Sequence, residues 1–242
     1  MLAAALLLSL VFFAFGAPRD LAGKVAAVFT DTDFSSATES GLQAKSFRYL
    51  TEKRAVERIG RLCREDMQKS GILASVSAAQ FIVESVFGTN ELALKANNCF
   101  AMKCSLSGNT WSGSVWDGKS KYITETQEEY TQGTVTIITD EFRKYPCVED
   151  SIADHSAYLL GAMNGDRKRY EGLCGETDYR KAIQIIKDGG YATSFSYADV
   201  LCEVIEEYDL TRFDQTVPEA KPARCRIEDP LRIPAAYFPL CA

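Results

Sequence analysis

The stretch AAQFIVESVFGTNELALKANNCFAMKC, residues 78–104, places one carboxylate, Glu84, inside an apolar helical segment that ends before Gly88. The last turn of a helix carries the negative end of the helix dipole, which opposes ionisation of an acid, and Phe81 and Phe87 would remove water from the carboxyl group. Both effects raise the pKa of Glu84. A carboxylic acid that stays protonated near neutral pH is suited to protonate the leaving oxygen of a glycosidic bond. An exposed helix-end glutamate beside aromatic residues is the alternative interpretation.

Helical periodicity continues on both sides of this stretch. Apolar residues at spacings of three and four predict a helix that is established by Arg54 and stops at Gly71. Ser77, followed three residues later by Gln80, is typical of a capping box and predicts that the helix containing Glu84 begins there. Three further helical patterns are predicted at residues 152–163, 182–190 and 197–208, the last one capped by Ser196.

A segment of different composition separates these helical regions. Between Trp111 and Tyr145 the sequence is rich in Thr, Val, Ile and Tyr and contains Gln132-Gly133, which is typical of a turn. This pattern predicts a small β-hairpin lobe inserted in a mainly helical protein. The sequence therefore predicts the α+β class.

Composition bounds the domain organisation and the partners. A chain of 242 residues with 46% hydrophobic and 25% charged residues can bury one principal core. Its formal net charge of −6 provides no electrostatic footprint for nucleic acid or for an anionic lipid surface. A polymeric substrate would have to be held by contacts in a groove.

The two ends of the chain differ from the body. Residues 1–17 are almost entirely apolar and suit the core of a signal peptide, with a membrane anchor as the alternative, so we expect export to the cell envelope or beyond it. Residues 18–50 are predicted to be a linker, residues 51–214 the catalytic domain, and residues 215–242 a proline-rich tail.

The eight cysteines and the single histidine limit the chemistry. Cys63 and Cys202 lie on apolar helical stripes and are predicted to be buried thiols. Two other pairs lie in loop-like sequence that permits a local disulfide in each: Cys99 with Cys104, and Cys225 with Cys241. With one histidine and no CxxC spacing, a catalytic zinc site would lack its usual ligands. We therefore expect no metal and no cofactor.

Six segments stand in a fixed order between about Ala55 and Asp214: AAQFIVESVFGTNELA, NNCFAMK, EEYTQGTVTIITDEFRKY, SIADHSAYL, RKRY and GYATSFSY. Together they resemble the bacterial glucosaminidase family of peptidoglycan hydrolases, glycoside hydrolase family 73. The resemblance implies a lysozyme-like fold in which a helical body and a small β-lobe border a cleft. It also implies an endo-β-N-acetylglucosaminidase, which hydrolyses the β-1,4 bond after N-acetylglucosamine in peptidoglycan glycan strands.

The resemblance assigns roles to particular residues. Glu84 corresponds to the general acid, Glu129 in EEYTQG to the second carboxylate, and Tyr191 in GGYATS to a cleft tyrosine needed for activity. A shift of register would select Glu128 in place of Glu129, and participation of the substrate's own acetamido group is the alternative to a second carboxylate. His155 is interpreted as a framework residue. Candidates for substrate binding are Phe87, Asn98, Phe100, Trp111, Trp116 and Tyr197, of which Asn98 also suits a loop-fixing role and the tryptophans also suit packing.

Three other functions remain open at this stage. A lytic transglycosylase or muramidase also places a glutamate before a serine at a helix end, but NNCFAMK stands here where those families usually have a G-L-M-Q-type segment. A wall peptidase or amidase lacks its metal ligands or a nucleophile motif. A catalytically silent glycan-binding domain is disfavoured because both Glu84 and Glu129 are present.

Overall fold

The computed structural model describes residues 41–106, 111–131 and 134–215, and within 126–135 it describes only the backbone of the strands. The described elements are mainly helical, with one long hairpin. In chain order they are a 3-10 helix Ala44–Tyr49, α1 Glu52–Ser70, α2 Ala74–Ser85, α3 Glu91–Ala96, β1 Lys121–Thr131, β2 Thr134–Arg143, α4 Val148–Gly161, β3 Met163–Asn164, β4 Arg167–Lys168, α5 Tyr179–Asp188, α6 Tyr197–Glu207 and a second 3-10 helix Leu210–Phe213.

Helix α2 is the centre of the core. Each of its residues is buried, and it packs against α1, α5, α6 and the second 3-10 helix. A helix that is surrounded on all sides needs little amphipathic contrast, which agrees with the apolar run around Glu84. The core of the domain therefore forms around the helix that carries the candidate acid.

The start of α2 differs from the prediction. The helix begins at Ala74, so Ser77 and Gln80 lie inside it and the predicted capping box is wrong. Asp214 supplies the cap instead, because its Oδ1 accepts a hydrogen bond of 2.7 Å from the backbone N–H of Ser75. A carboxylate at a helix N-terminus satisfies a free N–H group and complements the dipole, whichever part of the chain provides it.

Helix α1 forms as predicted. Thr51 caps its N-terminus by accepting from the backbone N–H of Arg54, and Gly71 ends it in the left-handed region at φ 73°. Val56, Ile59 and other members of its apolar stripe are buried against the core. Glycine is suited to this position because it has no Cβ to oppose a positive φ.

The hairpin lobe confirms the predicted β element. Strands β1 and β2 pair antiparallel from Lys121 opposite Arg143 to Glu129 opposite Val135, and a bulge follows between Glu129 and Thr131. The predicted turn at 132–133 lies outside the described residues. The mainly helical α+β class with a small hairpin lobe is confirmed.

Part of the segment assigned to the linker packs on the domain. Phe47 in the first 3-10 helix is buried, and its ring lies 5.7 Å from that of Phe81 in α2. Residues 1–17 and most of the tail lie outside the described residues. Among the helices that the structure describes, none has the length and apolar character needed to cross a membrane.

The described cysteines are all free thiols. Cys63 is buried as predicted, and Cys202 is half-buried. Cys99 and Cys104 do not form the local disulfide that the sequence permits. Instead the Cys99 side chain turns into the core, where its Sγ lies 3.8 Å from the Asn97 carbonyl oxygen and burial raises the pKa of the thiol. The two cysteines of the tail lie outside the described residues.

Candidate active site

The carboxyl group of Glu84 lies in the last turn of α2 and is only 2% exposed. Its Oε1 accepts a hydrogen bond of 3.0 Å from the hydroxyl of Tyr197, while its Oε2 has no hydrogen-bond partner. Burial raises the pKa of Glu84 well above its usual range, and the hydrogen bond from Tyr197 opposes this effect only in part. The arrangement favours a protonated acid with one free oxygen.

The backbone after Glu84 turns sharply. Val86, Phe87 and Gly88 have φ values of 51°, 57° and 79°, three consecutive residues in the left-handed region. The side chain of Asn90 stabilises the turn by donating a hydrogen bond of 2.8 Å to the carbonyl oxygen of Glu84. Non-glycine residues in this region store conformational strain, which is often found beside functional groups. The turn fixes the end of the helix at the candidate acid.

Tyr197 is the first residue of α6 and is fully buried against α2. Its hydroxyl oxygen accepts a hydrogen bond of 2.9 Å from Nε2 of Gln80, one helical turn before Glu84. Sequence reasoning assigned Gln80 to a capping box and missed this contact. The signal available was the spacing of four residues, which places Gln80 and Glu84 on one face of α2.

Aromatic rings form a layer behind Tyr197. The ring of Tyr191 stacks on that of Tyr197 at 5.9 Å, and its hydroxyl donates a hydrogen bond of 3.2 Å to the carbonyl oxygen of Phe100. His155 stacks on Phe100 at 3.9 Å and meets the edge of Tyr191 at 5.6 Å. Burial lowers the pKa of His155 to about 3, so the imidazole is neutral. This layer supports the tyrosine that contacts Glu84.

The family follows from a comparison with known proteins. The family model described as glucosaminidase, mannosyl-glycoprotein endo-beta-N-acetylglucosaminidase, matches residues 60–210. The chain belongs to the glucosaminidase family. The family resemblance drawn from the ordered segments is therefore confirmed, and the matched region contains Glu84, Tyr191 and Tyr197.

Individual relatives cover part of the chain. It is 31% identical over 154 residues to the exo-glucosaminidase LytG of Bacillus subtilis (strain 168), across 64% of this chain and 50% of that protein. A crystal structure of an N-acetylmuramoyl-L-alanine amidase from Staphylococcus aureus is 28% identical with a TM-score of 0.58, across 68% of this chain and 44% of that one. The catalytic domain of the autolysin Auto from Listeria monocytogenes shares the fold. It is 23% identical with a TM-score of 0.54, across 78% of this chain and 99% of that one. The chain spans half or less of the length of the curated relatives that it matches.

Two tryptophans of the glucosaminidase domain enclose an arginine. The guanidinium carbon of Arg143 lies 4.2 Å from the ring centre of Trp111 and 4.5 Å from that of Trp116. Nη1 of Arg143 also forms a fully buried ion pair of 2.9 Å with Asp154. The ion pair joins the end of β2 to α4. The guanidinium of Arg143 lies against the tryptophan ring faces that were predicted to bind sugar. The sugar contacts of both tryptophans stay predictions.

The other predicted binding residues of the glucosaminidase domain lie in different surroundings. The side-chain amide of Asn98 donates to the carbonyl oxygens of Met102 and Arg143, as its loop-fixing interpretation predicts. Phe87 packs its ring edgewise against Tyr208 at 5.6 Å, beyond the end of α6. The structure therefore gathers Tyr191, Phe100 and Tyr197 behind Glu84, whereas Asn98 fixes a loop and Phe87 packs against Tyr208. Their roles toward substrate stay predictions.

The second carboxylate is described only by its backbone. Glu129 pairs with Val135 and Glu128 with Thr136, and the bulge next to Glu129 inserts one additional residue into β1. Bulges twist a strand locally and are frequent near active sites. The side chains of Glu128 and Glu129 lie outside the described residues, so their positions relative to Glu84 stay a prediction.

The described part of the glucosaminidase domain holds no cluster of three or more His, Cys, Asp or Glu side chains that could bind a metal ion. The only histidine of the chain, His155, is enclosed by aromatic rings, and neither of its ring nitrogens has a hydrogen-bond partner. The side chains that the structure does bring together are therefore those of an acid and its phenolic neighbours.

Proposed function

We propose that this protein is a peptidoglycan hydrolase that cleaves the β-1,4 bond after N-acetylglucosamine, with Glu84 as the general acid. The observation that carries the proposal is the environment of Glu84. Its carboxyl group is buried at a helix end, one oxygen is held by Tyr197, and the other oxygen has no partner within the protein. Membership of the glucosaminidase family supports the glycosidic substrate.

The reaction requires one proton donor and one water. Protonated Glu84 transfers its proton to the glycosidic oxygen as the bond from C1 to that oxygen breaks, and C1 develops oxocarbenium-like charge. Water then adds to C1 and gives up a proton, so that one sugar leaves with a new reducing end and the other with a new hydroxyl group. Burial supports the first step, because a raised pKa keeps Glu84 protonated at a pH where an ordinary carboxylate is ionised.

Glu129 is the proposed partner of Glu84. Its carboxylate would accept the proton of the attacking water or stabilise the charge at C1. The hairpin that carries it is joined to the body at its base, where the backbone N–H groups of Cys104 and Arg143 donate to the carbonyl oxygens of Glu141 and Met102. An acid on the body and a base on a lobe would enclose the glycan between them, and Tyr191 would support the body side from behind Tyr197.

The proposed partner is the glycan strand of peptidoglycan, reached in the cell envelope or after secretion. The apolar residues 1–17 support this location as a signal peptide or an N-terminal membrane contact. The net charge of −6 leaves substrate binding to hydrogen bonds and ring faces, because a general electrostatic attraction to anionic polymers is absent.

Dye release from labelled cell walls tests the proposal. We expect the full chain to release dye and Glu84→Gln to lower the rate by about two orders of magnitude or more, the usual range for general-acid catalysis, with the helical circular dichroism unchanged. Glu65→Gln is the matched control, because Glu65 is exposed on α1 and its loss also removes one carboxylate. A near-normal rate for Glu84→Gln contradicts the assignment, and no release by the unmodified chain would indicate a silent glycan-binding domain.

A further inference from the structure

We propose that Gln80 and Tyr197 are positioning residues that place the acidic proton of Glu84 on Oε2. This inference rests on the proposed function, since it concerns the same acid. It differs from the predicted role of Tyr197 in sugar binding. Two consecutive hydrogen bonds with defined directions support it, together with a carboxyl oxygen that has no hydrogen-bond partner in the protein.

The first step is the direction of the bond between Gln80 and Tyr197. Nε2 of Gln80 is a donor only, so the phenolic oxygen of Tyr197 accepts at 2.9 Å. A phenol has a single O–H, and that hydrogen is then available to one acceptor. The acceptor is Oε1 of Glu84 at 3.0 Å. The side chain of Gln80 thus determines which way the tyrosine hydroxyl points.

The second step concerns the two carboxyl oxygens of Glu84. An oxygen that accepts the hydrogen of Tyr197 cannot direct its own proton along the same line, because two hydrogens would meet. The carbonyl-type oxygen of a neutral carboxylic acid is the better acceptor, so the hydrogen bond from Tyr197 to Oε1 favours the form that carries its proton on Oε2, which has no hydrogen-bond partner in the protein. A buried donor without a partner is costly in the free protein, so the proton on Oε2 is available to any acceptor that substrate binding brings within hydrogen-bond distance. The arrangement prepares the acid for transfer in one direction.

The third step is the rigidity of the tyrosine. Its ring is fully buried at the start of α6 and stacks on Tyr191 with an interplanar angle of 19°. Among the side chains that the structure describes, Tyr191 and Tyr197 are titratable groups that interact with Glu84, and burial raises the pKa of both. Both phenols are neutral under ordinary conditions, so Tyr197 acts on Glu84 through its hydrogen bond and carries no charge. A neutral donor that contacts Oε1 stabilises the ionised acid that remains after proton transfer.

The matched test pair is Tyr197→Phe and Gln80→Met. Tyr197→Phe keeps the ring and the stacking and removes only the hydroxyl. We expect kcat to fall roughly tenfold with KM unchanged, since the loss affects proton transfer and not binding. We also expect the alkaline limb of the pH profile of kcat to move upward by about one pH unit, the equivalent of one hydrogen bond to a charged group. Gln80→Met is expected to shift the limb in the same direction by a smaller amount.

A double-variant cycle decides whether the two residues act together. If Gln80 acts only through Tyr197, Gln80→Met has no further effect in a Tyr197→Phe background. Carbon-13 NMR titration of the Glu84 carboxyl provides a readout that needs no activity, and it should show a higher midpoint in Tyr197→Phe than in the unmodified chain. Three results would each overturn the proposal: pH profiles and titrations that do not shift, an increase in KM with unchanged kcat, or additive effects of the two variants. Such a result leaves the proposed function standing as long as Glu84→Gln is inactive, whereas an active Glu84→Gln contradicts the proposed function itself.

Discussion

Replacing Glu84 by Gln should change the way in which the stability of the domain depends on pH. In the unfolded chain a glutamate titrates near pH 4.3, whereas burial raises the pKa of Glu84 in the folded protein. Between these two pKa values the folded protein retains a proton that the unfolded chain releases. The free energy of unfolding of the unmodified protein therefore decreases as pH rises through this window. Glutamine has no proton to release, so the variant lacks this decrease.

The size of the effect follows from the linkage relation. The difference in free energy of unfolding, variant minus unmodified protein, should increase by about 1.4 kcal/mol for each pH unit above about 4.3 and level off at the folded pKa of Glu84. For a domain of this size, that slope corresponds to about 3 to 6 °C in Tm per pH unit. The glutamine side chain of Glu84→Gln would still offer a carbonyl oxygen to the hydroxyl of Tyr197, so the variant preserves the hydrogen bond that Oε1 accepts in the unmodified protein.

Urea unfolding between pH 4 and pH 8, followed by far-ultraviolet circular dichroism, measures this difference directly. Burial also raises the pKa values of Asp66 and Asp214, but these groups are common to both proteins and cancel in the difference. Glu65→Gln is again the control, because it also replaces one glutamate by glutamine, at a position on α1 that is exposed to solvent. A difference for Glu84→Gln that stays constant from pH 4 to pH 8 would refute the inference that burial keeps the acid protonated.

Two further predictions concern the lobe and its attachment. Asp154→Asn leaves the guanidinium of Arg143 buried without its counter-charge and should lower the free energy of unfolding by about 3 to 5 kcal/mol in urea titrations, whereas Asp140→Asn, whose ion pair is nearer the surface, should cost far less. Equal losses would contradict the role of the buried pair. Glu129→Gln should reduce dye release by about tenfold or more with little effect from Glu128→Gln, and the reverse order would assign the second carboxylate to Glu128.

Much of the fold was predictable because periodicity reports burial. The stripe that contains Val56 and Ile59 predicted α1, and Gly71 predicted its end, since only local geometry decides where a left-handed residue is tolerated. The change from helical periodicity to a segment rich in Thr, Val, Ile and Tyr predicted the hairpin between the helices. These are local properties of the chain, and they need no knowledge of which elements touch.

Contacts between distant segments were not predictable from pattern alone. Ser77 and Gln80 satisfy a capping pattern, yet the N-terminus of α2 is capped by Asp214, 139 positions after the N–H that it accepts from. Because Asp214 supplies the cap, Gln80 lies inside the helix, where its side chain donates a hydrogen bond to the hydroxyl of Tyr197. The helix that carries Glu84 was identified correctly, and its boundary was wrong because a tertiary contact replaced a local one.

In the candidate site too, local features were predictable from the sequence and contacts between distant segments were not. The position of Glu84 at a helix end was predicted from sequence, because the apolar run and the glycine that follows it are adjacent to it. The enclosure of Arg143 by Trp111 and Trp116 could not be predicted, since aromatic residues in a sequence do not reveal whether their faces meet a cation or a sugar. The link from Tyr197 to Glu84 spans 113 positions and required the packing of α6 on α2.

The reducing ends of the products test the central claim most directly. Purified peptidoglycan is digested with the full chain, reduced with borohydride and analysed by mass spectrometry. A glucosaminidase that uses Glu84 as acid and water as nucleophile leaves N-acetylglucosamine at each new reducing end, so we expect fragments that end in N-acetylglucosaminitol, and Glu84→Gln should yield none above background. Fragments that end in N-acetylmuramicitol, or in anhydro-muramic acid formed without water, would contradict the proposed reaction.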